Sequence, residues 1–383
     1  MRVCHFSSVH HIWDTRVFYR ECVSLATKYE VTLIAIGEKS GNINGVKVIG
    51  IPKPSSFLKR FTVTAFQVFR EALHSDAQLY HIHDAEMVPY GIVLALSGKK
   101  VIYDIHENTY HDILLKPWVK PILKKIAAKS YNLLLRFAKQ FLHFVVVVAH
   151  PRFLPSFFIK ETKCTVIQNF ADLIQLKPYR VIDRASLPTN EIFYIGMIRD
   201  MYYEVDPLLE AIYLLKQNGI LVKLHLIGYF GSKANHGFSH LKYWKEIEAQ
   251  VQYYGRLEMA EAYQISKQCK IGVCLKNQPA EMLVSHERKL FEYMAIGLPS
   301  IFANTHIYQE LNEETDIGIS VDLTDAKAIE STIKILLSNG VGLNQKAQNA
   351  AHASDTKYNW KIDLDKLFYC YEGLVQTESL RIN

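Results

Sequence analysis

The sequence lacks several features, and each absence removes a class of function. Its most hydrophobic run, Phe144 to Ala149, is far shorter than the roughly 20 residues needed to span a bilayer. The N-terminus, Met1-Arg2-Val3-Cys4-His5-Phe6-Ser7-Ser8, runs directly into a strand-like pattern without the apolar core of a signal peptide. The expectation is a soluble cytoplasmic protein, or one held peripherally on the inner face of the plasma membrane. Six cysteines lie at positions 4, 22, 164, 269, 274 and 370, with no C-x-x-C pair among them. They read as small buried residues rather than a zinc site or a disulfide framework. No low-complexity tract or block of like charge points to disorder or to nucleic-acid binding. The net charge of +6 suits anionic substrates or lipid headgroups and by itself decides little.

At 383 residues the chain exceeds one ordinary core, so two domains of roughly 150 to 200 residues are expected. Short β-branched or aromatic runs alternate with helical patterns, the mark of parallel sheets covered by helices. In the first half the expected strands are Arg2–Ser7, Val31–Ile36, Leu79–His83, Lys100–Ile105, Phe144–Val148 and Lys163–Ile167. Leu176 to Asn190 is polar, carries two prolines and has no periodicity, and reads as the linker. Alternation resumes at Ile192–Ile195, Val222–Ile227, Val251–Tyr254, Ile271–Cys274, Ser300–Ala303 and Gly318–Val321. The expected organisation is therefore α/β: one Rossmann-like domain over 1–175 and a second Rossmann-like domain over 176–359. Residues 360–383 form a final helix that can pack back on the first domain. Open parallel sheets bind ligands beyond the carboxyl ends of their strands. Two such sheets facing a central cleft would place the informative residues just after strands.

Glu287 to Ala295 has a helical pattern, stopped by Gly297 with Pro299 shortly after. A helix start offers free backbone N–H groups and a positive dipole end to a phosphate. Lys289 and Glu292 share a face of this helix. The lysine can balance a diphosphate while the carboxylate accepts hydrogen bonds from a ribose diol. An exposed ion pair on a surface helix would use the same two residues.

The run Lys289-Leu290-Phe291-Glu292-Tyr293-Met294-Ala295, followed by Gly297-Leu298-Pro299, resembles the nucleotide-binding helix of retaining glycosyltransferases of the GT-B fold. The resemblance is to the large family four, found in bacterial capsule, exopolysaccharide and O-antigen assembly. It extends through Asp14-Thr15-Arg16, His81-Ile82-His83-Asp84, Tyr103-Asp104-Ile105-His106-Glu107, Gln168-Asn169-Phe170 and the Trp360 terminus. It implies that Glu292 holds the donor ribose and that Lys289 lies close to the donor phosphates. It also implies that His106 contacts the transferred sugar near its anomeric carbon, assisted by Glu107, with Asp104 orienting the loop. His83 and Asp84, also at a strand end, are expected on the acceptor side, and His81 inside the strand is expected in the core. Gly196 and Gly228, with Leu257 after Gly255-Arg256, match loops that approach the donor phosphates and base, though ordinary strand-to-helix turns explain the latter two equally.

The first βα loop, Ser7 to Arg16, lacks the glycines that let a phosphate approach the backbone, which argues against a dinucleotide cofactor there. Arg16 is a candidate for an anionic acceptor or the donor diphosphate, and Asp14 for the cap of the following helix. The histidines show no regular metal-ligand spacing, and the resemblance implies no metal and no cofactor. The donor is expected to be a UDP- or GDP-linked sugar, and the acceptor an oligosaccharide or a lipid-linked one.

Two positions depart from the family pattern. Val284 stands where a glutamate near the donor sugar is usual, a glutamate that the related branch commonly lacks too. Met197 and Tyr202 stand where two cations usually grip the diphosphate, leaving Arg199 as the nearby cation. These losses motivate a second reading, a catalytically silent homologue acting as a binding or assembly subunit. A sugar-nucleotide epimerase on the same fold is a third. Finally, Lys116 to Lys139 interleaves basic residues with Trp118, Ile122, Ile126, Tyr131 and Phe137. That composition suits an amphipathic helix on an anionic leaflet, or a core helix with a solvated basic face.

Overall fold

The computed structural model describes residues 1–106, 109–115, 120–151, 163–199, 202–231, 237–278 and 285–379. Glu107, Val284 and the 116–119 start of the basic stretch lie outside the described residues. The chain divides into two compact units, one formed by Met1–Gln168 with Lys361–Asn383 and the other by Asn169–Trp360.

The first unit holds an eight-stranded sheet. Its strands are β1 (Arg2–His11), β2 (Glu30–Ile36), β3 (Gly41–Ile43), β4 (Val46–Ile51), β5 (Leu79–Ile82), β6 (Lys100–Ile105), β7 (Phe144–Val147) and β8 (Cys164–Val166). Their order is β3-β4-β2-β1-β5-β6-β7-β8, parallel except for β3 against β4. The central strands are buried on both faces, as parallel strands covered by helices must be: every residue from Val3 to Ser8 and from Leu79 to Ile82 is buried. Residues 15–22 form a π-helix rather than an α-helix, begun by Asp14, whose side chain accepts from Arg16 N and Val17 N. The cap expected of Asp14 is thus present, on a helix type that often marks a functional site.

The second unit holds a six-stranded parallel sheet: β9 (Glu191–Ile198), β10 (Lys223–Phe230), β11 (Val251–Gly255), β12 (Ile271–Val273), β13 (Ser300–Ala303) and β14 (Gly318–Val321). The order is β11-β10-β9-β12-β13-β14. In both units the first strand is flanked by the second strand on one side and a later strand on the other. This reversal is the point at which a doubly wound sheet opens a crevice at its carboxyl edge.

The segment expected as a linker has partners in the second unit. Arg184 is fully buried, and its guanidinium donates to the carbonyls of Val181, Ser266, Cys269, Ile296 and Gly297. Five backbone acceptors offset the cost of burying that charge without a carboxylate. Arg180 adds a bidentate pair with Asp355. A polar sequence lacking periodicity is therefore here an ordered strap held by two arginines.

Candidate functional site

The second unit brings its candidate residues to the carboxyl ends of β9 and β10. Gly196 and Gly228 are register partners in adjacent strands, with φ of +149° and +143°. A β-carbon on Gly228 would fall on the Gly196 carbonyl oxygen, and one on Gly196 would fall on Lys289 Nζ. The glycines are required because two backbones and a lysine head crowd one spot. Lys289, in the first turn of the helix Arg288–Ala295, thereby reaches across the strand ends.

Lys289 Nζ lies 2.6 Å from Glu287 Oε1, 5.2 Å from the Tyr194 ring centroid and 4.8 Å from that of Tyr203. Burial alone would lower its pKa, but Glu287 and the Tyr203 hydroxyl outweigh burial and raise it, so the ammonium stays charged. Glu287 is buried, and its second carboxylate oxygen has no hydrogen-bond partner among the described residues. Its backbone N–H donates to Tyr308 Oη at 3.0 Å, and His286 Nε2 lies 2.9 Å from the Ile307 carbonyl oxygen, which together fix the loop that enters the helix. Tyr194 Oη donates to the Met197 carbonyl.

Glu292 points elsewhere. It is buried, accepts from Tyr263 Oη at 2.6 Å and pairs with Arg288 Nε at 3.1 Å. Lys289 and Glu292 are therefore not each other's partners: each is held separately, one by Glu287 and one by Tyr263 and Arg288. The surface ion pair weighed from their spacing does not form. Near the end of β10, Tyr253 Oη donates to the Gly228 carbonyl at 3.2 Å and Arg256 stacks over the Tyr229 ring at 4.7 Å, with Leu257 half-buried just beyond β11. Backbone groups and a planar cation on an aromatic ring offer a surface on which a base can rest.

Arg199 has other partners. Its guanidinium binds Asp206 Oδ1 through Nε at 2.9 Å and NH2 at 2.6 Å, donates to the Gly237 carbonyl, and lies over the rings of Phe230 and Phe238. Its charge is already balanced by Asp206, which leaves little for a diphosphate.

In the first unit, His106 follows β6. Its Nε2 lies 3.0 Å from His83 Nδ1 and 3.4 Å from Asp104 Oδ2, and its side chain retains 15% exposure. Burial holds His106 well below the usual imidazole range, so it is neutral near pH 7 despite Asp104. His83 is buried behind it. Asp84 accepts from Ser7 Oγ and Ser8 N, both at 2.7 Å, and so fastens the loop after β1. Arg16 is buried, with NH2 at 2.9 Å from Asp104 Oδ2 and Nε at 3.0 Å from Glu21 Oε1. A guanidinium between two carboxylates supports Asp104 rather than presenting itself to an anion. His81 is in the core, as expected. His10, not singled out from the sequence, lies with its ring centroid 4.5 Å from that of His106. Its pKa is raised because the Asp14 hydrogen bond and the Asp84 and Asp104 charges outweigh burial.

Comparison with known proteins follows the same division. Residues 180–354 match the family model described as glycosyl transferases group 1. No curated protein sequence matches the chain. Among solved structures, sucrose-phosphate synthase from Thermosynechococcus elongatus is similar with a TM-score of 0.72 at 12% identity, covering 98% of this chain and 99% of that one. HepE from Anabaena, in a structure described as a complex with UDP-glucose, gives 0.67 at 15% identity, covering 98% and 100%. WaaG, described as a glycosyltransferase involved in lipopolysaccharide biosynthesis, gives 0.64 at 12% identity, covering 95% and 98%. Identities this low establish the fold and not the substrate. The chain thus has the α/β, GT-B type fold of two Rossmann-like units, and residues 180–354 in its second unit are similar to the glycosyl transferases group 1 family.

Proposed function

We propose that the protein is a glycosyltransferase that moves a sugar from a nucleotide-diphosphate donor to an oligosaccharide or lipid-linked acceptor, with retention of configuration, in envelope polysaccharide assembly. The observation that carries this reading is the Gly196–Gly228 pair with Lys289 laid over it. An ammonium, a helix start and two strand ends without side chains make a seat for a diphosphate. Glu292, on the next turn and held by Tyr263, is the proposed ribose acceptor. HepE, similar over almost the full length, is described in complex with UDP-glucose, which favours a UDP-linked donor. WaaG, described as acting in lipopolysaccharide biosynthesis, favours the envelope role.

Chemistry on this site is written as front-face substitution. The acceptor oxygen bonds to the anomeric carbon as the bond from that carbon to the phosphate oxygen breaks, and the acceptor proton passes to the leaving phosphate. The protein supplies positioning and charge: Lys289 balances the diphosphate as its charge grows. In the first unit, neutral His106, backed by His83 and Asp104, is the proposed sugar-facing group.

The silent-homologue reading has one observation in its favour, the commitment of Arg199 to Asp206 where Met197 and Tyr202 already replace cations. NMR of the product formed from a UDP-sugar donor and an oligosaccharide acceptor separates the two. Turnover with the donor's anomeric configuration kept supports the transferase, an inverted product contradicts front-face substitution, and no turnover with any UDP- or GDP-sugar favours the silent reading.

Peripheral membrane attachment is part of the proposal. The helix Pro121–Ala138 exposes Ile122, Leu123, Ile126, Leu133 and Phe137 beside Lys124, Lys125 and Lys129, the pairing that an anionic leaflet attracts. Among the described residues no helix is long and apolar enough to cross a membrane.

A further inference from the structure

Behind His106 and His83 lies a cluster of the first unit whose other members sugar transfer leaves unused. His5 on β1 is the register partner of His81 on β5, and His83 follows two residues later, so the strand period of two sets three imidazoles on one face of the sheet. Glu21 from the π-helix and Tyr371 from the C-terminal helix Trp360–Ser379 complete the group, and all five side chains are buried. The ring centroids are 4.5 Å apart for His5 and His81, 4.7 Å for His81 and His83, and 5.1 Å for His5 and His83. One nitrogen or carboxylate oxygen from each of His5, Glu21, His81 and His83 lies within 4.8 Å of the other three.

Two observations distinguish this from a satisfied polar core. His81 Nε2 and both Glu21 carboxylate oxygens are buried with no hydrogen-bond partner among the described residues, although Arg16 Nε stands 3.0 Å from Oε1 and His5 Nδ1 stands 3.9 Å from Oε2. The other nitrogen of each ring already has a hydrogen-bond partner. His5 Nε2 is 2.9 Å and His81 Nδ1 is 2.8 Å from Tyr371 Oη, while His83 Nδ1 is 3.0 Å from His106 Nε2 with Asp104 Oδ2 at 3.7 Å. With N–H groups on those outer nitrogens, which Tyr371 Oη can accept from both His5 and His81, the lone pairs of His5 Nδ1, His81 Nε2 and His83 Nε2 converge with Glu21. His5 Nδ1 and His83 Nε2 face each other at 2.9 Å.

We propose that His5 Nδ1, His81 Nε2, His83 Nε2 and Glu21 Oε2 form a buried tetrahedral site for a first-row divalent cation, zinc foremost. Three imidazoles and one carboxylate are the donors such a cation prefers, whereas magnesium and calcium take oxygen. Bonds of about 2.0–2.1 Å give a tetrahedron with ligand–ligand edges of about 3.3–3.4 Å. The 2.9 Å and 3.9 Å separations on either side of His5 Nδ1 bracket that value, and all four ligand atoms lie within 4.8 Å of one another, so the side chains close onto the cation by moving inward. Each ligand imidazole keeps its outer N–H hydrogen-bonded, the arrangement that fixes tautomer and ring angle in metal sites. The cation ties β1, β5 and the π-helix together. It also fixes His83 with Nδ1–H toward His106 Nε2, so that His106 presents its own Nδ1–H outward. Sequence spacing hid this set because its ligands come from three elements.

Elemental analysis of the full-length protein, expressed with zinc and then desalted, is the test. About one equivalent of zinc per chain is expected. His81→Gln should lower it at least tenfold, and Cys269→Ser, in the Glu191–His225–Cys269 group of the second unit, should leave it unchanged. Where His81→Gln fails to fold, cobalt(II) bound to the metal-depleted wild type decides: tetrahedral ligand-field absorption without thiolate charge transfer supports the site. Metal-free wild type that neither binds cobalt nor gains thermal stability with zinc overturns it. So does zinc retained in His81→Gln, or a thiolate charge-transfer band. Calorimetry with UDP on the same samples reads the second unit independently.

Discussion

Replacing Lys289 separates its two roles, partner to a buried carboxylate and seat for a diphosphate. Lys289→Met keeps the stem and removes the charge that lies 2.6 Å from Glu287 Oε1. Glu287 is then buried with neither oxygen satisfied by the lysine, and breaking a buried pair from one side costs about 3–5 kcal/mol. The Lys289 side chain keeps 14% exposure, which places the expected loss at the lower end, about 3 kcal/mol. Glu287→Gln in the same chain removes the stranded charge and should recover about 2 kcal/mol of it. A two-domain chain need not unfold in one step, so hydrogen exchange of β9 and β10 amides is the appropriate stability readout. The ligand readout is the ratio of UDP to uridine affinity, which isolates the diphosphate. A charge-assisted contact of about 1.5–3 kcal/mol corresponds to about ten- to a hundredfold in that ratio. The ratio should fall by this amount in Lys289→Met and stay low in the double variant, while Glu287→Gln alone should bind UDP at least as tightly as wild type. A double variant that regains the wild-type ratio would refute the reasoning, because Lys289 would then serve Glu287 alone.

Glu292→Gln should reduce the preference for UDP over 2′-deoxy-UDP by about tenfold, since the carboxylate is the proposed ribose acceptor; calorimetry that finds the same preference in both proteins removes Glu292 from the site. Gly228→Ala drives a β-carbon onto the Gly196 carbonyl and should cost about 2–4 kcal/mol in exchange protection of β9, whereas Gly255→Ala, at φ +69° with open space around it, should cost about 1–2 kcal/mol. Asp363 is raised by burial to about 6, with Lys366, Arg16 and the Gln168 N–H opposing the rise. A carboxyl raised on folding favours the protonated native state, so its contribution is fully present below about pH 4 and is lost as pH rises through about 6. Asp363→Asn should flatten this slope, worth on the order of 2–3 kcal/mol, in pH-dependent exchange of first-unit amides. Lys124→Glu with Lys125→Glu and Lys129→Glu should reduce sedimentation with anionic vesicles and not with neutral ones; equal sedimentation of the variant and wild type discards the membrane face.

Parallel strands were legible because burial on both faces makes them apolar without interruption, as in Val145-Val146-Val147 and Ile192-Phe193-Tyr194. The β3–β4 edge hairpin has its sequence signal in Asn44-Gly45 alone: both residues have positive φ, 50° and 80°, as a two-residue hairpin turn demands. Linker and strap could not be told apart in 176–190, because the acceptors for Arg184 are carbonyls distant in sequence. The same limit applied at the sites. Lys289 and Glu292 were visible as residues three apart on one helix, but their separate partners, Glu287 and Tyr263, depend on which loop lies over each turn. The histidine cluster was half visible as His81 and His83 in one strand; His5 and Glu21 join it only through strand register and a π-helix. Arg16 and Arg199 looked like free cations because sequence does not reveal that Asp104 and Asp206 reach them first.

Calorimetry of the full-length protein with UDP, GDP and their common sugar conjugates tests the central claim most directly. Binding of at least one of them, enthalpically driven and weakened by Lys289→Met, is the result expected of a diphosphate seated at the ends of β9 and β10. A wild-type protein that binds none of these nucleotides contradicts it.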